Sequence, residues 1–590
     1  MDNSFIKMLK ALENDYKKLD MEVLYPDVQT TEVMLPMSDG VKLKTYVYYG
    51  KEVPEGSSLP VILQRSPYAH SMDIYQVHGK NLAQRGFVYI LQFCRGTGQS
   101  EGEWEPNVNE RQDGLETLHW LQSEPWVKNI GYWGDSYLAS TGWFMADVVP
   151  SKVKGMYLGV YGTDRFTSVY SKGMFRHDVL TSWAMENAGY PVDSDYLESC
   201  RFMPHYKVDE CLWGRKLPWY RQWITAPRED DAYWQQGFWK MLREIPSKVN
   251  IPLLITDAWY DHHLGSALKS YETLSWEAKK HTTLIVGCWN HYSENCIEWD
   301  EPQNLQNREV PIMIKWFRTL LMEDRIPESK VRTYIIGADE WKEYPEWPMP
   351  VKSQKKFYFN AGERAGSGKK LTLSESPAEP LSKTEFTYDP KNPVPSLGAE
   401  SMLKSINKVG SMYQPEPGFR EDVLSFISEP LEEEFSIAGK MRVYLQVSTD
   451  CDDTAFTAKV MEVRGDGKSV NIRSSITTIA ADYPDKRYVS DGKSVHDEDS
   501  RKAMENREDT YTPGEIAEVC VEMWDIAWKL QKGSRIRVDI SSSDFPQYSV
   551  HSNDAGIWSR QEKTRVAHQV IYCGGVYSSR LEIPVLNERS

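Results

Sequence analysis

Long apolar runs are missing from this sequence, since no uninterrupted stretch is long enough to cross a bilayer. The first 19 residues also lack the apolar core of a signal peptide. Positive charge is in deficit, because 69 Lys and Arg face 85 Asp and Glu and leave a net charge of -16. Such a balance disfavours nucleic acid and anionic membrane surfaces as partners. We therefore expect a cytoplasmic protein that binds neither nucleic acid nor membrane.

Clustered cysteines and nucleotide-binding motifs are also missing. The eight cysteines are scattered, with no C-x-x-C pair and no zinc-site spacing, which predicts reduced thiols and no metal. Gly96 and Gly98 have no Walker or dinucleotide fingerprint around them, so they predict a turn between a strand and a helix. The sequence implies no organic cofactor.

The order of periodic segments predicts the domain organisation. Strand and helix patterns alternate from about residue 33 to 160, which predicts a parallel sheet covered by helices. A stretch rich in Trp, Tyr and Met with helical spacing interrupts this pattern, and alternating segments typical of a β-sandwich or jelly roll fill the last part. The predicted units are an α/β domain at 1–162 and 248–345, a helical cap at 163–247 and a jelly roll at 346–590.

Ser136 lies on a predicted strand-to-helix turn, in Gly134-Asp135-Ser136-Tyr137-Leu138. A serine on such a turn is typical of the nucleophile elbow of α/β-hydrolases, where the following helix N-terminus favours developing negative charge. Leu138 stands where that motif usually has its closing glycine. A serine that only caps a helix is the alternative interpretation of this motif alone.

Candidate partners for Ser136 follow two later strands. After the predicted strand at 253–255 come two aspartates, Asp257 and Asp261, and either could be the acid of a triad. His291 comes after the predicted strand at 284–286, where the base of an α/β-hydrolase belongs. His262 and His263 are rival bases, but they adjoin the acid in sequence. A turn aspartate and a surface histidine are the alternatives for Asp261 and His291.

Several motifs resemble those of the cocaine esterase-like hydrolases, a group that includes X-prolyl dipeptidyl-peptidases, α-amino-acid ester hydrolases and glutaryl cephalosporin acylases. The resemblance covers the chain from about residue 30 to 585. The motifs are Arg65-Ser66-Pro67-Tyr68, Cys94 to Gly102, Gly134-Asp135-Ser136-Tyr137, Trp259-Tyr260-Asp261, Gly287-Cys288-Trp289-Asn290-His291, Tyr388-Asp389-Pro390 with Pro393-Val394-Pro395, and Ile540 to Pro546.

This resemblance implies an α/β-hydrolase domain with an inserted helical cap and a C-terminal jelly roll. It implies Ser136 as nucleophile, His291 as base and Asp261 as acid. It also assigns the oxyanion hole to the Tyr68 phenol and the Tyr137 amide. A neutral phenol is a hydrogen-bond donor at pH 7, so that role is physically reasonable.

The expected activity is hydrolysis of a carboxylic ester or amide through an acyl-serine, on a small-molecule ester, amide or short peptide. X-prolyl dipeptidyl-peptidase, amino-acid ester hydrolase and β-lactam acylase activities are alternatives. The amino-acid ester hydrolases carry extra carboxylates just after the triad acid, but His262 and His263 follow Asp261 here. Little chain precedes the matching segments, whereas many X-prolyl peptidases have a large N-terminal domain, so both departures favour an ester substrate.

A substrate pocket and two further alternatives complete the predictions. Asp164 could meet a substrate ammonium, although a turn aspartate is the alternative, and cap aromatics suggest an apolar acyl pocket. The predicted pocket residues are Asp164, Phe175, Trp183, Trp259 and His262. A carbohydrate-binding protein with an inactive triad is the alternative outside enzymes, which the complete triad disfavours. An exposed edge of the jelly roll could support a homo-oligomer.

Overall fold

The computed structural model describes residues 3–305, 309–363, 369–398, 400, 408–482 and 511–588. It has an N-terminal α/β domain and a C-terminal all-β domain, each built on one large sheet. Within the described residues, no helix combines the length and the apolar character needed to cross a membrane.

A ten-stranded sheet forms the centre of the α/β domain. Its strands are β1 Val28–Pro36, β2 Lys42–Gly50, β3 Leu59–Ser66, β4 Val88–Phe93, β5 Val127–Asp135, β6 Val153–Gly159, β9 Leu253–Ala258, β10 Thr283–Gly287, β11 Lys330–Ile335 and β12 Glu340–Tyr344. They lie in the order β1-β2-β4-β3-β5-β6-β9-β10-β11-β12, and the pairs from β4 to β11 are parallel. Every residue of β4 and β10 is buried, which explains their apolar runs.

Helices cover both faces of this sheet. They are α1 Asn3–Lys17, α2 Met72–Gln84, α3 Glu110–Ser123, α4 Tyr137–Trp143, α12 Leu264–Thr273, α13 Trp276–Lys279 and α14 Glu309–Phe317, which continues into a π-helical turn at Arg318–Met322. In α3, Leu118 and Leu121 are fully buried, and Leu115 on the same helix is half-buried. The apolar face of each helix therefore closes the core over the strands.

A helical insertion separates β6 from β9 and corresponds to the predicted cap. Its elements are α5 Arg165–Val169, the strand pair β7 Tyr170–Ser171 and β8 Met174–Phe175, α6 His177–Ala188, α7 Val192–Arg201, α8 Val208–Cys211, α9 Pro218–Thr225, α10 Ala232–Gln235 and α11 Gly237–Glu244. Tryptophans at 213, 223, 234 and 239 are buried inside it. The abundant aromatic residues of this stretch thus form its core.

The C-terminal domain contains β13 Val351–Glu363, β14 Lys369–Ser374, β15 Ser382–Tyr388, β16 Leu424–Ser428, β17 Phe435–Thr449, β18 Ala455–Val463, β19 Ser469–Thr478, α15 Ile479–Asp482, β20 Ala517–Leu530, β21 Arg535–Ser541, β22 Ala567–Cys573 and β23 Arg580–Leu586. The long strand β17 pairs with β20, β22 and β23, so segments far apart in sequence meet there. All pairings in this sheet are antiparallel except β14 with β16.

The all-β domain packs directly behind the loop that follows β9. The Tyr260 hydroxyl donates to the carbonyl of Ile472, 3.1 Å away, and Arg473 lies over the Tyr260 ring. On the insertion side, Phe175 stacks on Trp558 with ring centroids 5.1 Å apart. The C-terminal domain therefore supports both the end of β9 and the helical insertion.

Candidate active site

Ser136 lies at the tight turn between β5 and α4. Its φ of 55° and ψ of -127° are unusual for a residue with a side chain, and such strain persists only where the surroundings enforce it. A Cβ on Gly134 would overlap the Leu138 carbonyl, and one on Gly159 would overlap the Asp135 carboxylate. These glycines allow the turn to close tightly, which holds the serine at the carboxyl end of the parallel strands.

His291 and Asp261 lie in the loops that follow the adjacent strands β10 and β9. His291 Nε2 is 2.9 Å from Ser136 Oγ, and its Nδ1 is hydrogen-bonded to Asp261 Oδ2. Asp261 is fully buried, and its Oδ1 accepts the His263 amide at 2.6 Å. The structure therefore brings the predicted serine, histidine and aspartate into one hydrogen-bonded chain.

Asp257, the other candidate acid, lies in the same region but does not contact His291. Its Oδ1 accepts the Ala258 amide at 2.7 Å, and its Oδ2 is buried without a hydrogen-bond partner among the described residues. Burial, and next the nearby charge of Asp261, raises the pKa of the Asp257 carboxyl well above its usual range. The surroundings of Asp257 therefore favour its protonated form, and the carboxyl that bonds to His291 is that of Asp261.

The two predicted oxyanion donors lie beside Ser136. Tyr68, after β3, lines the same cavity as Ser136, and the Trp183 indole N–H points to its hydroxyl oxygen at 3.3 Å. Burial raises the pKa of the Tyr68 phenol above its usual range, so the phenol remains a neutral donor. Tyr137 is the first residue of α4. Its hydroxyl donates a hydrogen bond to the Glu110 carboxylate and accepts one from the Asn107 amide.

A cavity of about 460 Å³, including the part open to solvent, lies over these groups. Two predicted pocket residues line it, Trp183 and His262. The complete lining is Tyr68, Asn107, Ser136, Tyr137, Tyr161, Arg165, Val179, Leu180, Trp183, Trp223, His262 and His263. Sheet-edge loops thus supply the reactive groups, and the helical insertion supplies most of the opposite wall.

Asp164, Phe175 and Trp259 lie outside this lining, contrary to the expectation from sequence. The Asp164 carboxylate is buried and paired with the Lys269 ammonium. Phe175 belongs to the contact between the insertion and the all-β domain, and the Trp259 indole donates to the Tyr334 carbonyl at 2.7 Å inside the core. Each side chain already has a structural partner that turns it away from the cavity.

His262 and His263 lie against the triad without joining it. The His262 ring centroid is 4.4 Å from that of His291, and His263 Nδ1 is 2.8 Å from Ser168 Oγ. Burial lowers the pKa of both imidazoles well below the usual value, so both are neutral at pH 7. They therefore shape the cavity wall without adding charge.

One group of side chains has the spacing of metal ligands among the described residues. One atom each from Asp261, His262 and His291 lie within 4.8 Å of one another. Because Asp261 and His291 already bond to each other, an ion here would compete with that hydrogen bond. This group is therefore better suited to proton transfer than to holding a resident metal.

Arg165 is the charged residue among those of the cavity lining that the sequence interpretation missed; the uncharged ones are Asn107, Tyr161, Val179, Leu180 and Trp223. Arg165 begins α5, a few residues beyond the carboxyl end of β6, where loops gather over the site of an α/β sheet. Its position just after a strand of the parallel sheet could have indicated a cavity residue, because the same position led to the prediction of Asp164. Which of the two adjacent side chains faces the cavity depends on the helix that follows.

Two family models match most of the chain between them. The model for X-Pro dipeptidyl-peptidase (S15 family) matches residues 39–293, and that for the X-Pro dipeptidyl-peptidase C-terminal non-catalytic domain matches residues 325–582. Among curated proteins, the cocaine esterase of Rhodococcus sp. (strain MB1 Bresler) is 28% identical over 94% of this chain and 98% of its own length.

Solved structures show the same fold over nearly the whole chain. An aminopeptidase from a marine sediment Thaumarchaeota archaeon matches with a TM-score of 0.76 at 20% identity, covering 97% of this chain and 98% of its own. An α-amino acid ester hydrolase matches with a TM-score of 0.74 at 20% identity, covering 96% and 98%. At 20% identity these matches establish the fold, and the substrate and mechanism have to be argued from the residues of the site.

Proposed function

The chain belongs to the cocaine esterase-like and X-Pro dipeptidyl-peptidase-like hydrolases, and from that premise we propose a catalytic route and a substrate class. The proposed reaction is hydrolysis of a carboxylic ester or amide through an acyl-serine at Ser136. The observation that carries the proposal is the 2.9 Å contact between His291 Nε2 and Ser136 Oγ, with Asp261 bonded to the opposite ring nitrogen.

In the first half of the proposed reaction, Ser136 Oγ attacks the substrate carbonyl carbon while His291 Nε2 takes the hydroxyl proton. Asp261 keeps the imidazole in the tautomer with Nδ1 protonated and stabilises the imidazolium that forms. His291 then gives the proton to the leaving oxygen or nitrogen, the bond from that atom to the carbonyl carbon breaks, and the acyl group stays on Ser136.

Negative charge on the carbonyl oxygen would be met by the Tyr68 phenol and the Tyr137 amide. These donors stay fixed, because Tyr68 is held near Trp183 and α4 fixes the Tyr137 backbone. Donors that are already oriented stabilise the tetrahedral state without reorganising, and each one contributes about 10²- to 10³-fold in rate.

The second half regenerates the enzyme with water. His291 removes a proton from a water molecule, whose oxygen attacks the acyl carbon, and the bond to Ser136 Oγ breaks. The proton on His291 returns to Ser136 Oγ, and the products are a carboxylic acid and the free serine. No cofactor takes part in the proposed sequence.

A small-molecule ester is the favoured substrate within this reaction class. A dipeptidyl-peptidase or an amino-acid ester hydrolase must hold a substrate ammonium, for which a carboxylate in the cavity is the natural partner. The lining contains neither Asp nor Glu, and Asp164 is occupied by Lys269. We further propose that the two domains are an α/β-hydrolase fold and a jelly roll, which the parallel sheet and the long-range pairing of β17 support.

Labelling with a fluorophosphonate probe tests the proposal, together with turnover of 4-nitrophenyl esters and of Ala-Pro-4-nitroanilide. We expect the wild type to be labelled and Ser136→Ala to lose both the label and about 10⁶-fold in kcat. Ser140→Ala is the matched control, because Ser140 lies one turn later in α4 with its hydroxyl bonded to the Tyr137 carbonyl. An unlabelled wild type, or equal labelling of Ser136→Ala, would contradict the proposal.

A further inference from the structure

Arg165 is a guanidinium buried in the wall of the catalytic cavity. The residue is 8% exposed, and it lines the same cavity as Ser136, Tyr68 and His262. A buried arginine normally has a carboxylate partner, because leaving water without one is costly for a charge. If Arg165 has such a partner within the protein, its role is structural. If it has none, its charge is available to bind a ligand.

No acidic side chain in the described part of the chain lies within 4.0 Å of the Arg165 guanidinium. The neighbouring Asp164 carboxylate is taken by Lys269, which also reaches Glu229 at 3.3 Å. The Arg165 Nε atom is buried with no hydrogen-bond partner. The contacts of the guanidinium are the face of Trp223, 4.6 Å from the ring centroid, and the Tyr161 phenol.

Other buried arginines of this protein are satisfied differently. Among the described residues, five of them have a carboxylate within salt-bridge distance, namely Arg65 near Asp113, Arg176 near Asp178 and Glu400, Arg221 near Asp209 and Glu210, Arg473 near Glu400, and Arg537 near Asp539. Arg85 has none, but it donates to the carbonyl oxygens of Tyr16 and Asn81. Arg165 has neither kind of partner, and it is the one of these residues that faces the catalytic cavity.

The residues that line the cavity around Arg165 include no acidic side chain. Arg165 is the only ionised side chain in the lining given above, since His262 and His263 are neutral at pH 7. Tyr68, Tyr137 and Tyr161 have pKa values raised by burial and are neutral as well. A group that binds beside the serine therefore meets one fixed positive charge in a low-dielectric wall.

We propose that the preferred substrates are esters or amides that carry a carboxylate, which Arg165 binds while Ser136 attacks the scissile carbonyl. This inference rests on the proposed function and specifies its substrate class. A guanidinium binds a carboxylate through two parallel hydrogen bonds, and the buried Nε supplies a donor of the required kind. Trp223 and Trp183, which stack on each other at 6.0 Å, form an apolar wall for the connecting methylene groups.

The test uses pairs of esters that differ in one carboxylate. Mono-4-nitrophenyl glutarate is compared with 4-nitrophenyl pentanoate for a carboxylate on the acyl side, and 4-(pentanoyloxy)benzoate with phenyl pentanoate for the leaving-group side. Spontaneous hydrolysis is subtracted in each case. We expect one of the two carboxylate esters to exceed its neutral partner in kcat/KM by about 10-fold or more in the wild type.

Replacement of the guanidinium should remove this preference. In Arg165→Met the ratio of kcat/KM between the preferred pair is expected to fall by about 10-fold or more, to near 1, and Arg165→Lys should recover part of it. Arg228→Met is the matched control, because Arg228 lies in the insertion, is partly exposed and pairs with Asp230. Its ratio should equal that of the wild type.

The outcomes separate this inference from the proposed function. If the wild type cleaves both neutral esters faster than their carboxylate partners, and this turnover needs Ser136, the inference is overturned and the proposed function stands. If no ester is cleaved and the fluorophosphonate does not label, the proposed function itself fails. Should Arg165→Met not fold, competition in the wild type decides. Glutaramate must inhibit hydrolysis of the pentanoate ester at least about 10-fold more strongly than the neutral pentanamide does, or 4-hydroxybenzoate must do so relative to phenol. Equal inhibition within both pairs overturns the inference.

Discussion

The loops at the carboxyl ends of the parallel strands, called the sheet edge below, and the helical insertion contribute to the same cavity in different ways. At the sheet edge, Ser136, Asp261 and His291 follow β5, β9 and β10, so strand register fixes their relative positions. In the insertion, the position of each side chain depends on contacts between helices and on the all-β domain behind them, as in the stacking of Phe175 on Trp558. The reactive groups are held in place by the backbone hydrogen bonds of the sheet, and the cavity wall that the insertion supplies is held in place by side-chain packing.

This difference predicts where substitutions act. Changes to the triad and oxyanion donors at the sheet edge should alter the rate with little effect on folding, and changes in the insertion should alter substrate choice or stability. Buried charge illustrates the contrast. At the sheet edge Asp261 has His291 and a backbone amide as partners, while in the insertion both carboxyl oxygens of Asp178 lack a hydrogen bond within the described residues.

The largest expected effect separates two aspartates at the end of β9. Asp261→Asn should lower kcat by about 10⁴-fold, because an amide cannot hold the required tautomer of His291 or stabilise the imidazolium. Asp257→Asn should lower it less than about 10-fold, since the raised pKa of Asp257 favours the protonated carboxyl, which an amide resembles in shape and charge, and Asp257 does not contact His291. Rates with a 4-nitrophenyl ester at pH 7 check both variants.

Equal losses in the two variants would contradict the assignment of Asp261 as the acid. Circular dichroism and the fluorophosphonate label give the control, because both proteins must be folded with Ser136 in place. A large loss confined to Asp257→Asn would instead mean that the two carboxyls share their proton in the working enzyme.

Sequence reasoning predicted the sheet edge better than the insertion for a physical reason. Apolar runs predicted the strands at 253–255 and 284–286, which lie in β9 and β10, and parallel strands bring their carboxyl ends to one edge of a sheet whatever the other domains do. The chain order of serine, acid and base therefore placed those three side chains near each other. Strand order alone could not tell Asp257 and Asp261 apart, because their roles depend on a turn of a few residues, and the resemblance to known hydrolases was what favoured Asp261.

The pocket was harder to predict because its wall comes from packing between distant segments. Trp183 and His262 line the cavity as expected, but Phe175 faces the all-β domain and Trp259 bonds to the Tyr334 carbonyl. An aromatic residue in the sequence carries no sign of which of these surfaces it will face. Asp164 and its neighbour Arg165 show the same difficulty. The sequence does not indicate which of the two adjacent side chains will face the cavity, because that depends on the conformation of the backbone at this turn.

The next effect in size concerns the oxyanion donors at the sheet edge. Tyr68→Phe should lower kcat/KM by about 10²- to 10³-fold, because the donor to the developing oxyanion is lost while the ring remains. Tyr137→Phe is the matched control, since its backbone amide stays and the substitution removes only two bonds of its hydroxyl, the one it donates to Glu110 and the one it accepts from the Asn107 amide. That variant should keep most of its rate and lose about 1 to 3 kcal/mol of unfolding free energy, because the buried Glu110 carboxyl loses a partner.

Kinetics and urea titration together check this pair. A Tyr68→Phe variant with the wild-type rate would remove the phenol from the oxyanion hole, leaving the Tyr137 amide and an unidentified second donor. Loss of activity without loss of stability in Tyr137→Phe would show that its ring, rather than its amide alone, orients the substrate.

The smallest expected effect lies in the insertion and concerns stability against pH. Burial raises the pKa of the Asp178 carboxyl to about 7, although the Arg176 guanidinium 3.8 Å away partly opposes this shift. A carboxyl whose pKa is raised by folding binds its proton more tightly in the folded state. Its contribution is therefore most favourable below the unfolded pKa near 4 and is lost as pH rises toward 7.

Urea unfolding at pH 5 and pH 8 measures this contribution. In Asp178→Asn the change in unfolding free energy between the two pH values should be smaller than in the wild type by about 2 kcal/mol, whatever the overall offset. Asp230→Asn is the control, because Arg228 lowers the pKa of the Asp230 carboxyl and moves its titration below this range. Identical pH dependence in the wild type and Asp178→Asn would mean that Arg176 keeps Asp178 ionised at pH 5. The buried charges of the insertion would then be stabilised by ionic partners, as Asp261 is at the sheet edge.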